Sequence, residues 1–242
     1  MKAGLSRPVF CLVTDRHRAG GQRSRGTPGN HDHLVRLVRY AATAGVNLVQ
    51  VRERDLDDRH LVALTRDIVG AVEGTCASVV VNDRVDIALA AGAAGVHLRA
   101  DSPPAAAVRP IVPPGFLIGR SVHSEREAIE VAGTGVDYLI LGTIFPTASK
   151  PAAGVTLGLE PLARTVRAVD MPILAIGGIT ADNVGKVAAA GAAGFAAIGL
   201  FADWPREPVE DGSGAALQIL LAGLRNVFRE ARIHTERSVE RL

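Results

Sequence analysis

The sequence predicts one closed barrel of eight parallel strands alternating with helices. Eight short, β-rich apolar segments alternate with segments of helical periodicity. Ala-Gly pairs recur where a helical pattern gives way to a strand, as at Ala91-Gly92 and Ala190-Gly191. The 242 residues are 48% hydrophobic but only 4% aromatic, with 26 glycines, which is typical of a tightly connected α/β protein. We therefore expect a (β/α)8 barrel, with a doubly wound open sheet as the alternative.

The strand candidates are spaced regularly, and polar residues or glycine follow each of them. They are Val9–Thr14, Leu48–Arg52, Ser78–Val81, Gly95–Leu98, Leu117–Gly119, Tyr138–Leu141, Ile173–Ile176 and Ala196–Ile198. Because helical segments separate them, these strands are expected to pair in parallel.

The helix candidates lie between the strands, and one more follows the last strand. They are Leu34–Ala44, Asp58–Val72, Arg84–Ala91, Glu125–Ala132, Leu159–Val169, Asn183–Ala190 and Ala215–Ile233, with a short helix near Ala105–Val108. Ser124 and Glu127 form a predicted capping box at the start of the helix that follows the fifth strand.

Two segments fall outside this repeat. Residues 16–30 form a glycine- and arginine-rich insertion, for which a mobile loop is favoured over a basic lid on an anionic ligand. Residues 215–242 are predicted to form a C-terminal helix and tail, of which the part from Arg225 to Leu242 mixes charges of both signs and is expected to be a solvated helix that frays. No break in composition marks a second domain, so residues 1–242 are expected to form one domain whose barrel core spans about 8–202.

Charge and cysteine content narrow the class of protein. A net charge of +2 gives no support for a nucleic-acid partner or an anionic membrane surface. No apolar run suits a membrane span or a signal segment, so the expected location is the cytoplasm. Cys11 and Cys76 lack metal-ligand spacing, and Cys11 is expected to be a reduced core residue. A small molecule is the expected partner, and a homo-oligomer is left open.

Polar residues gather at the predicted strand ends, which a barrel brings to one face. Alternation along the second strand places Gln50, Arg52 and Arg54 on one side, where they need anionic or hydrogen-bonding partners. Asn82 and Asp83 follow the third strand. His97 lies near the end of the fourth strand.

Glycines follow the seventh and eighth strands. Gly177, Gly178 and Gly199 leave backbone N–H groups accessible, and Asn183 opens the next helix, so a phosphate site is favoured over simple tight turns. No Gly-x-Gly-x-x-Gly follows the first strand, which argues against a dinucleotide cofactor. His123 lies between the fifth strand and its helix, in a position suited to acid–base chemistry.

Five motifs, in order along the chain, resemble those of thiamine phosphate synthase and its relative, the TenI-type thiazole tautomerase. They are Gln50-x-Arg52-x-Arg54, Asn82-Asp83-Arg84, Gly119-Arg120-Ser121-Val122-His123-Ser124, Pro146-Thr147-x-Ser149-Lys150 and Ile176-Gly177-Gly178-Ile179. The likeness runs from the first strand to the eighth. It implies a TIM barrel enzyme of thiamine biosynthesis that acts on a thiazole phosphate.

The resemblance leaves two reactions open. The synthase couples an aminopyrimidine diphosphate to a thiazole phosphate, using magnesium held by two aspartates. Asp83 matches the first aspartate, but Ser102 stands at the second position and Asp101 is one residue early. The tautomerase needs no metal and shifts a proton to aromatise a carboxythiazole phosphate; the Arg-Glu-Arg of the second strand and the motif around His123 resemble it more closely.

We therefore expect a thiazole tautomerase without a cofactor. The synthase with magnesium is the alternative, and a non-catalytic phosphate-binding barrel is the more remote one. In the tautomerase hypothesis His123 carries the proton. The predicted substrate-binding residues are Gln50, Arg52, Arg54, Asn82, Ser121, Thr147, Ser149 and Lys150, and Gly177, Gly178 and Gly199 are predicted to bind phosphate.

Overall fold

A computed structural model describes residues 5–18, 29–147, 156–202 and 213–239. Its strands are β1 (Val9–Val13), β2 (Leu48–Val51), β3 (Ser78–Asn82), β4 (Gly95–Leu98), β5 (Leu117–Val122), β6 (Tyr138–Gly142), β7 (Ile173–Ile176) and β8 (Gly194–Ala197). The helices are α1 (Gly29–Ala44), α2 (Asp58–Ala71), α3 (Val85–Ala91), α4 (Ala105–Val108), α5 (Glu125–Val131), α6 (Leu159–Ala168), α7 (Val184–Ala189), α8 (Gly199–Ala202) and α9 (Ser213–Val239). A 3-10 turn, Arg109–Ile111, follows α4.

The strands close into a parallel barrel in sequence order, which confirms the predicted (β/α)8 TIM barrel. β1 pairs with β8 over four residues, from Val9 opposite Gly194 to Leu12 opposite Ala197. A doubly wound open sheet has two unpaired edge strands, whereas every strand of this barrel pairs on both sides, so the alternative is wrong. Gly92 ends α3 in the left-handed conformation, as its place in the Ala-Gly pair predicts.

Two apolar layers hold the barrel together. Its interior is filled by inward side chains that include Val9, Leu48, Val80, Tyr138 and Leu174. The larger layer lies between the strands and the surrounding helices. Among the few aromatic residues, Phe10 of β1 lies 5.0 Å from Phe195 of β8 and 5.9 Å from Phe228 of α9, measured between ring centroids. The C-terminal helix therefore packs over the seam where the first and last strands meet.

Several element boundaries differ from the predicted ones. β5 continues three residues beyond Gly119, because Arg120, Ser121 and Val122 pair with β6. The short helix α8 and the 3-10 turn are new, and α9 extends to Val239. No helix in the described parts of the chain is long and apolar enough to cross a bilayer.

The insertion after β1 is described only at its two ends. The guanidinium of Arg16 pairs with Asp55, 2.5 Å away, and with Glu53 at 3.2 Å. His17 also contacts Asp55, at 2.9 Å. These contacts tie the chain that leaves β1 to the loop after β2. Residues 19–28, and with them most of the predicted insertion, lie outside the described residues.

Candidate active site

A cavity of about 710 Å³ lies at the carboxyl ends of the strands and is lined by residues from all eight of them. It brings together most of the predicted site residues, namely Gln50, Arg52, Arg54, Asn82, Ser121, His123, Thr147, Gly177, Gly178 and Gly199. Ser149 and Lys150 lie outside the described residues. Asp83 and Asp101 do not line the cavity. Arg18, His97 and Arg99 line it as well, although they are not among the predicted binding or catalytic residues.

The end of β2 is anchored so that alternate side chains face the cavity. The backbone N–H of Arg52 donates to Thr14 Oγ1 at 2.9 Å. Glu53 points the opposite way and is buried, where its carboxylate accepts from the backbone N–H of Arg16 at 3.1 Å. Burial raises the pKa of Glu53. With Glu53 held behind the strand, its neighbours Arg52 and Arg54 are directed to the cavity.

Positive charge concentrates on this side of the cavity. Burial lowers the pKa of Arg52, and the nearby guanidinium groups of Arg54 and Arg99 lower it further, while the carboxylates of Asp15 and Glu53 act in the opposite direction. Within the described residues, neither Arg52 nor Arg54 forms an ion pair through its side chain. An arginine stays protonated under ordinary conditions, so this cluster carries repulsion that a bound anion relieves.

A buried network forms the floor of the cavity between β4, β5 and β6. His97, 1% exposed, places Nε2 2.9 Å from Ser121 Oγ and Nδ1 3.2 Å from the Tyr138 hydroxyl. Burial, followed by the charge of Arg120, lowers the pKa of His97 to about 3, so the imidazole is neutral at physiological pH. Gly119 makes room for the network, since a Cβ there would lie 2.6 Å from His97 Nδ1.

The network fixes the direction in which the Ser121 proton points. Among the described residues, His97 is the only hydrogen-bond partner of the buried Tyr138 hydroxyl, so that hydroxyl donates to Nδ1. A neutral imidazole that accepts at Nδ1 carries its proton at Nε2 and donates it to Ser121 Oγ. The Ser121 hydroxyl is then left to donate into the cavity, which suits an acceptor atom on a heteroaromatic ring.

His123 occupies the cavity wall just past the end of β5. Its side chain is 49% exposed, and Nδ1 lies 3.6 Å from Glu127 Oε2. Ser124 accepts from the backbone N–H of Glu127 at 3.2 Å, as the capping box predicts. The Glu127 carboxylate returns to the N–H of His123 rather than to that of Ser124. The cap therefore holds the backbone of His123 in place.

The opposite wall is made of bare backbone. Gly177 and Gly178 have φ angles of 102° and 62°, and a Cβ at Gly178 would lie 2.8 Å from that of Phe145. Asn183 donates to the carbonyl of Gly178 at 2.7 Å and accepts from the N–H of Thr180 at 2.9 Å. Its side chain therefore closes this loop and does not cap α7, which corrects the predicted helix start. Gly199 opens the four-residue α8.

The carboxylates beside β3 and β4 are bound to protein groups. Ser102 Oγ donates to Asp83 Oδ1, and Arg99 Nη1 lies 3.5 Å from Asp83 Oδ2. Arg99 Nη2 donates to Asp101. Magnesium prefers one or two free carboxylates together with water or phosphate oxygens. This donor set does not fit the ion, since a guanidinium occupies the space between the carboxylates; in the described ranges, no three His, Cys, Asp or Glu side chains cluster as a metal site.

For two of these three additional residues, His97 and Arg99, a signal is present in the sequence. His97 and Arg99 are two residues apart at the end of β4, as Arg52 and Arg54 are at the end of β2. Period-2 alternation therefore directs both pairs to the same interior. The same alternation that predicts Gln50, Arg52 and Arg54 at the cavity therefore also predicts His97 and Arg99 there.

Comparison with known proteins supports one family over nearly the whole barrel. Residues 11–201 match the family model described as thiamine monophosphate synthase, TMP-TENI. The chain is 42% identical over 187 residues to a protein named putative thiamine-phosphate synthase of Geobacter sulfurreducens, covering 77% of this chain and 83% of that protein. It is 41% identical over 192 residues to the thiamine-phosphate synthase of Roseiflexus castenholzii, covering 79% and 80%.

A solved structure agrees with these sequence matches. The thiamine phosphate pyrophosphorylase of Pyrococcus furiosus superposes with a TM-score of 0.71 at 30% sequence identity. The match covers 92% of this chain and 96% of that one, so the two barrels correspond over almost their full lengths.

Proposed function

Since the chain belongs to the thiamine monophosphate synthase family and is an enzyme of thiamine biosynthesis, we propose that it is the synthase. In the proposed reaction, the bond between the methylene carbon of the pyrimidine and the diphosphate breaks, and the thiazole nitrogen forms a bond to that carbon. Diphosphate leaves with the bonding electrons. The sequence motifs favour the tautomerase, whereas the names of the relatives favour the synthase.

The observation that carries this proposal is the charge of the cavity. Four arginines line it, Arg18, Arg52, Arg54 and Arg99. A tautomerase substrate would bring a single carboxylate to this side, whereas an aminopyrimidine diphosphate brings two linked phosphates. Planar guanidinium groups bind phosphate oxygens through paired N–H donors. The number of guanidinium groups therefore suits diphosphate better than carboxylate.

In the proposed complex the two substrates bind on opposite sides of the cavity. Arg52 and Arg54 bind the diphosphate, whose negative charge grows as it departs. Gln50, Asn82 and the outward-donating Ser121 orient the pyrimidine ring. Backbone N–H groups at Gly177, Gly178 and Gly199 bind the phosphate of the thiazole. Thr147, Ser149 and Lys150, on the chain after β6, remain predicted substrate-binding residues.

One observation favours the tautomerase as a second candidate. His123 lies at the cavity wall, and its imidazole has a carboxylate partner in Glu127 at 3.6 Å. Such a pair is suited to exchanging a proton with a bound substrate. Tautomerase turnover would be abolished or strongly reduced in His123→Ala, whereas the synthase reaction does not need an acid–base group at this position.

Two assays with purified protein separate these functions. The first supplies aminopyrimidine diphosphate and thiazole phosphate, with and without magnesium, and follows the formation of thiamine phosphate. The second supplies the carboxythiazole phosphate before aromatisation and follows the proton shift. We expect sustained turnover in the first assay and little in the second. Turnover confined to the second assay would replace the synthase proposal with the tautomerase.

A further inference from the structure

We propose that Arg99 binds the diphosphate in place of a divalent metal ion, so that this cavity holds diphosphate without magnesium. The inference deepens the proposed function and rests on it for the identity of the anion. Arg99 follows β4 and is not one of the predicted binding residues, and Asp83 and Asp101 are the residues that the synthase hypothesis expects to hold the ion.

Arg99 stands where it can contact an anion in the cavity. Its side chain is 42% exposed and lines the cavity together with Arg52 and Arg54. The three guanidinium groups are close enough for Arg99 to lower the pKa of Arg52. A diphosphate bound by Arg52 and Arg54 therefore lies within the field of Arg99 as well.

The loop after β4 is built to hold Arg99 in this position. The N–H of Arg99 donates to Ser102 Oγ at 2.8 Å, and that hydroxyl donates in turn to Asp83. Arg120, 9% exposed, donates to the carbonyls of Ala100 and Ser102 at 2.7 Å and 3.0 Å. Both ends of the loop are therefore anchored to neighbouring strands.

The same contacts leave no coordination site for magnesium between the aspartates. One Asp83 oxygen accepts from Ser102, and the other faces Arg99 Nη1 at 3.5 Å. Asp101 is paired with the same guanidinium. A divalent ion placed there would meet the positive charge of Arg99 at close range, and it would have to displace the contacts of Arg99 with both carboxylates.

Arg99 keeps enough freedom to bind a ligand. Its contact with Asp101 is a surface pair, in which the carboxylate is 68% exposed, and such pairs contribute little and exchange readily. A guanidinium has five N–H donors, and within the described residues the side-chain contacts of Arg99 to Asp83 and Asp101 use its two terminal nitrogens. Asp83 and Asp101 thus act as positioning residues for Arg99.

The test is a calorimetric titration with inorganic pyrophosphate, in excess EDTA and again with magnesium. For the unaltered protein we expect binding in EDTA with a Kd within roughly threefold of the magnesium value, since paired guanidinium donors replace the ion. Arg99→Gln should raise the Kd in EDTA by roughly ten- to a hundredfold, the usual scale for losing a charge-assisted contact. The melting temperature of the variant checks that it is folded.

The matched control is Arg126→Gln, which removes the same charge from α5, where Arg126 is 84% exposed and pairs with Glu130 at 3.8 Å. Its Kd should stay within about twofold of the unaltered value, because a distant surface charge is screened by salt. Equal losses in the two variants would indicate a net-charge effect and overturn the assignment.

A double substitution tests the exchange of metal for guanidinium directly. Arg99→Gly/Ser102→Asp removes the guanidinium and puts a carboxylate where the Ser102 hydroxyl now contacts Asp83. Pyrophosphate binding by this variant should become magnesium-dependent, with a gain of roughly tenfold or more when the ion is added. The unaltered protein should show no comparable gain.

The outcomes separate this inference from the proposed function. The inference is wrong if the unaltered protein does not bind pyrophosphate in EDTA but binds it when magnesium is added. It is also wrong if Arg99→Gln binds pyrophosphate as tightly as the unaltered protein does. In both cases the protein can still couple the pyrimidine to the thiazole. If pyrophosphate binds through Arg99 in EDTA but no thiamine phosphate forms under any condition, the proposed function is wrong and the anion site stands. No pyrophosphate binding under either condition overturns the inference.

Discussion

The two sides of the cavity mouth differ in what they present to a ligand. After β2 and β4 the wall consists of guanidinium groups, those of Arg52, Arg54 and Arg99. After β7 and β8 it consists of main chain exposed by Gly177, Gly178 and Gly199. Both surfaces suit an anion, but by different means. The arginine wall acts through net charge over a distance, whereas the glycine wall acts through close approach.

The difference predicts how each wall responds to change. The arginine wall should keep its shape when one side chain is neutralised, but its affinity for an anion should fall. Added salt should weaken that affinity as well. The glycine wall has no side-chain charge to remove. It should lose both stability and affinity when an added atom prevents close packing. Gly178→Ala and Arg52→Gln test this contrast, and His97→Asn tests the buried network beneath the arginine wall; they follow in order of decreasing expected effect.

The largest effect is expected for Gly178→Ala in the glycine wall. Gly178 has a φ of 62°, and an added Cβ would lie 2.8 Å from that of Phe145. Left-handed strain of about 1–2 kcal/mol and overpacking of about 1–3 kcal/mol together lower the free energy of unfolding by about 2–5 kcal/mol. Urea denaturation measures this loss, and the KM for thiazole phosphate should rise in parallel.

Gly74→Ala is the matched control for Gly178→Ala. Gly74 has a φ of 77°, and an added Cβ would meet nothing within 4 Å. It should therefore lose only the strain of about 1–2 kcal/mol and leave KM unchanged. If both variants lost the same stability, the tight packing of Gly178 would have no energetic consequence.

The next effect is on the free energy of unfolding, and it concerns the buried His97–Ser121–Tyr138 network beneath the arginine wall. Burial lowers the pKa of His97 from 6.5 to about 3. Below pH 6.5 the His97 side chain becomes protonated in the unfolded chain, whereas in the folded protein it stays neutral down to about pH 3. The stability that His97 contributes is therefore fully present above pH 6.5 and is lost as the pH falls, by at most about 1.4 kcal/mol per pH unit.

Replacing His97 by Asn removes this dependence on pH. Urea denaturation of both proteins between pH 7 and pH 4 should give a shallower curve for His97→Asn, because carboxylates and other histidines contribute equally to the two proteins. Parallel curves would show that His97 is protonated in the folded state and that the proposed direction of the Tyr138–His97–Ser121 network is wrong.

The smallest effect is expected for Arg52→Gln in the arginine wall. Removing one of several guanidinium groups should raise the Kd for inorganic pyrophosphate by about tenfold, with little change in the free energy of unfolding. The difference from the unaltered protein should shrink as KCl is added, since salt screens charge. A loss independent of salt would mean that Arg52 acts through shape, as the glycine wall does.

The sequence alone determined the order of the elements and the direction of several side chains. Period-2 alternation places Gln50, Arg52 and Arg54 on one side of β2, and all three line the cavity. The eight apolar segments between helical patterns predict a barrel, which the pairing of β1 with β8 confirms. These features follow from local periodicity and from the short connections of parallel strands, so no distant contact is needed to infer them.

The reach of each strand, and the partners of its polar residues, depend on the tertiary structure. β5 extends to Val122 because β6 offers backbone partners along that length, which the apolar run of Phe116–Ile118 does not indicate. His97, Ser121 and Tyr138 come from three strands, and Arg99 is placed by Asp83 and Ser102 across a loop. Hydrogen bonds between groups far apart in sequence form only when the barrel closes, so their geometry is absent from any local pattern.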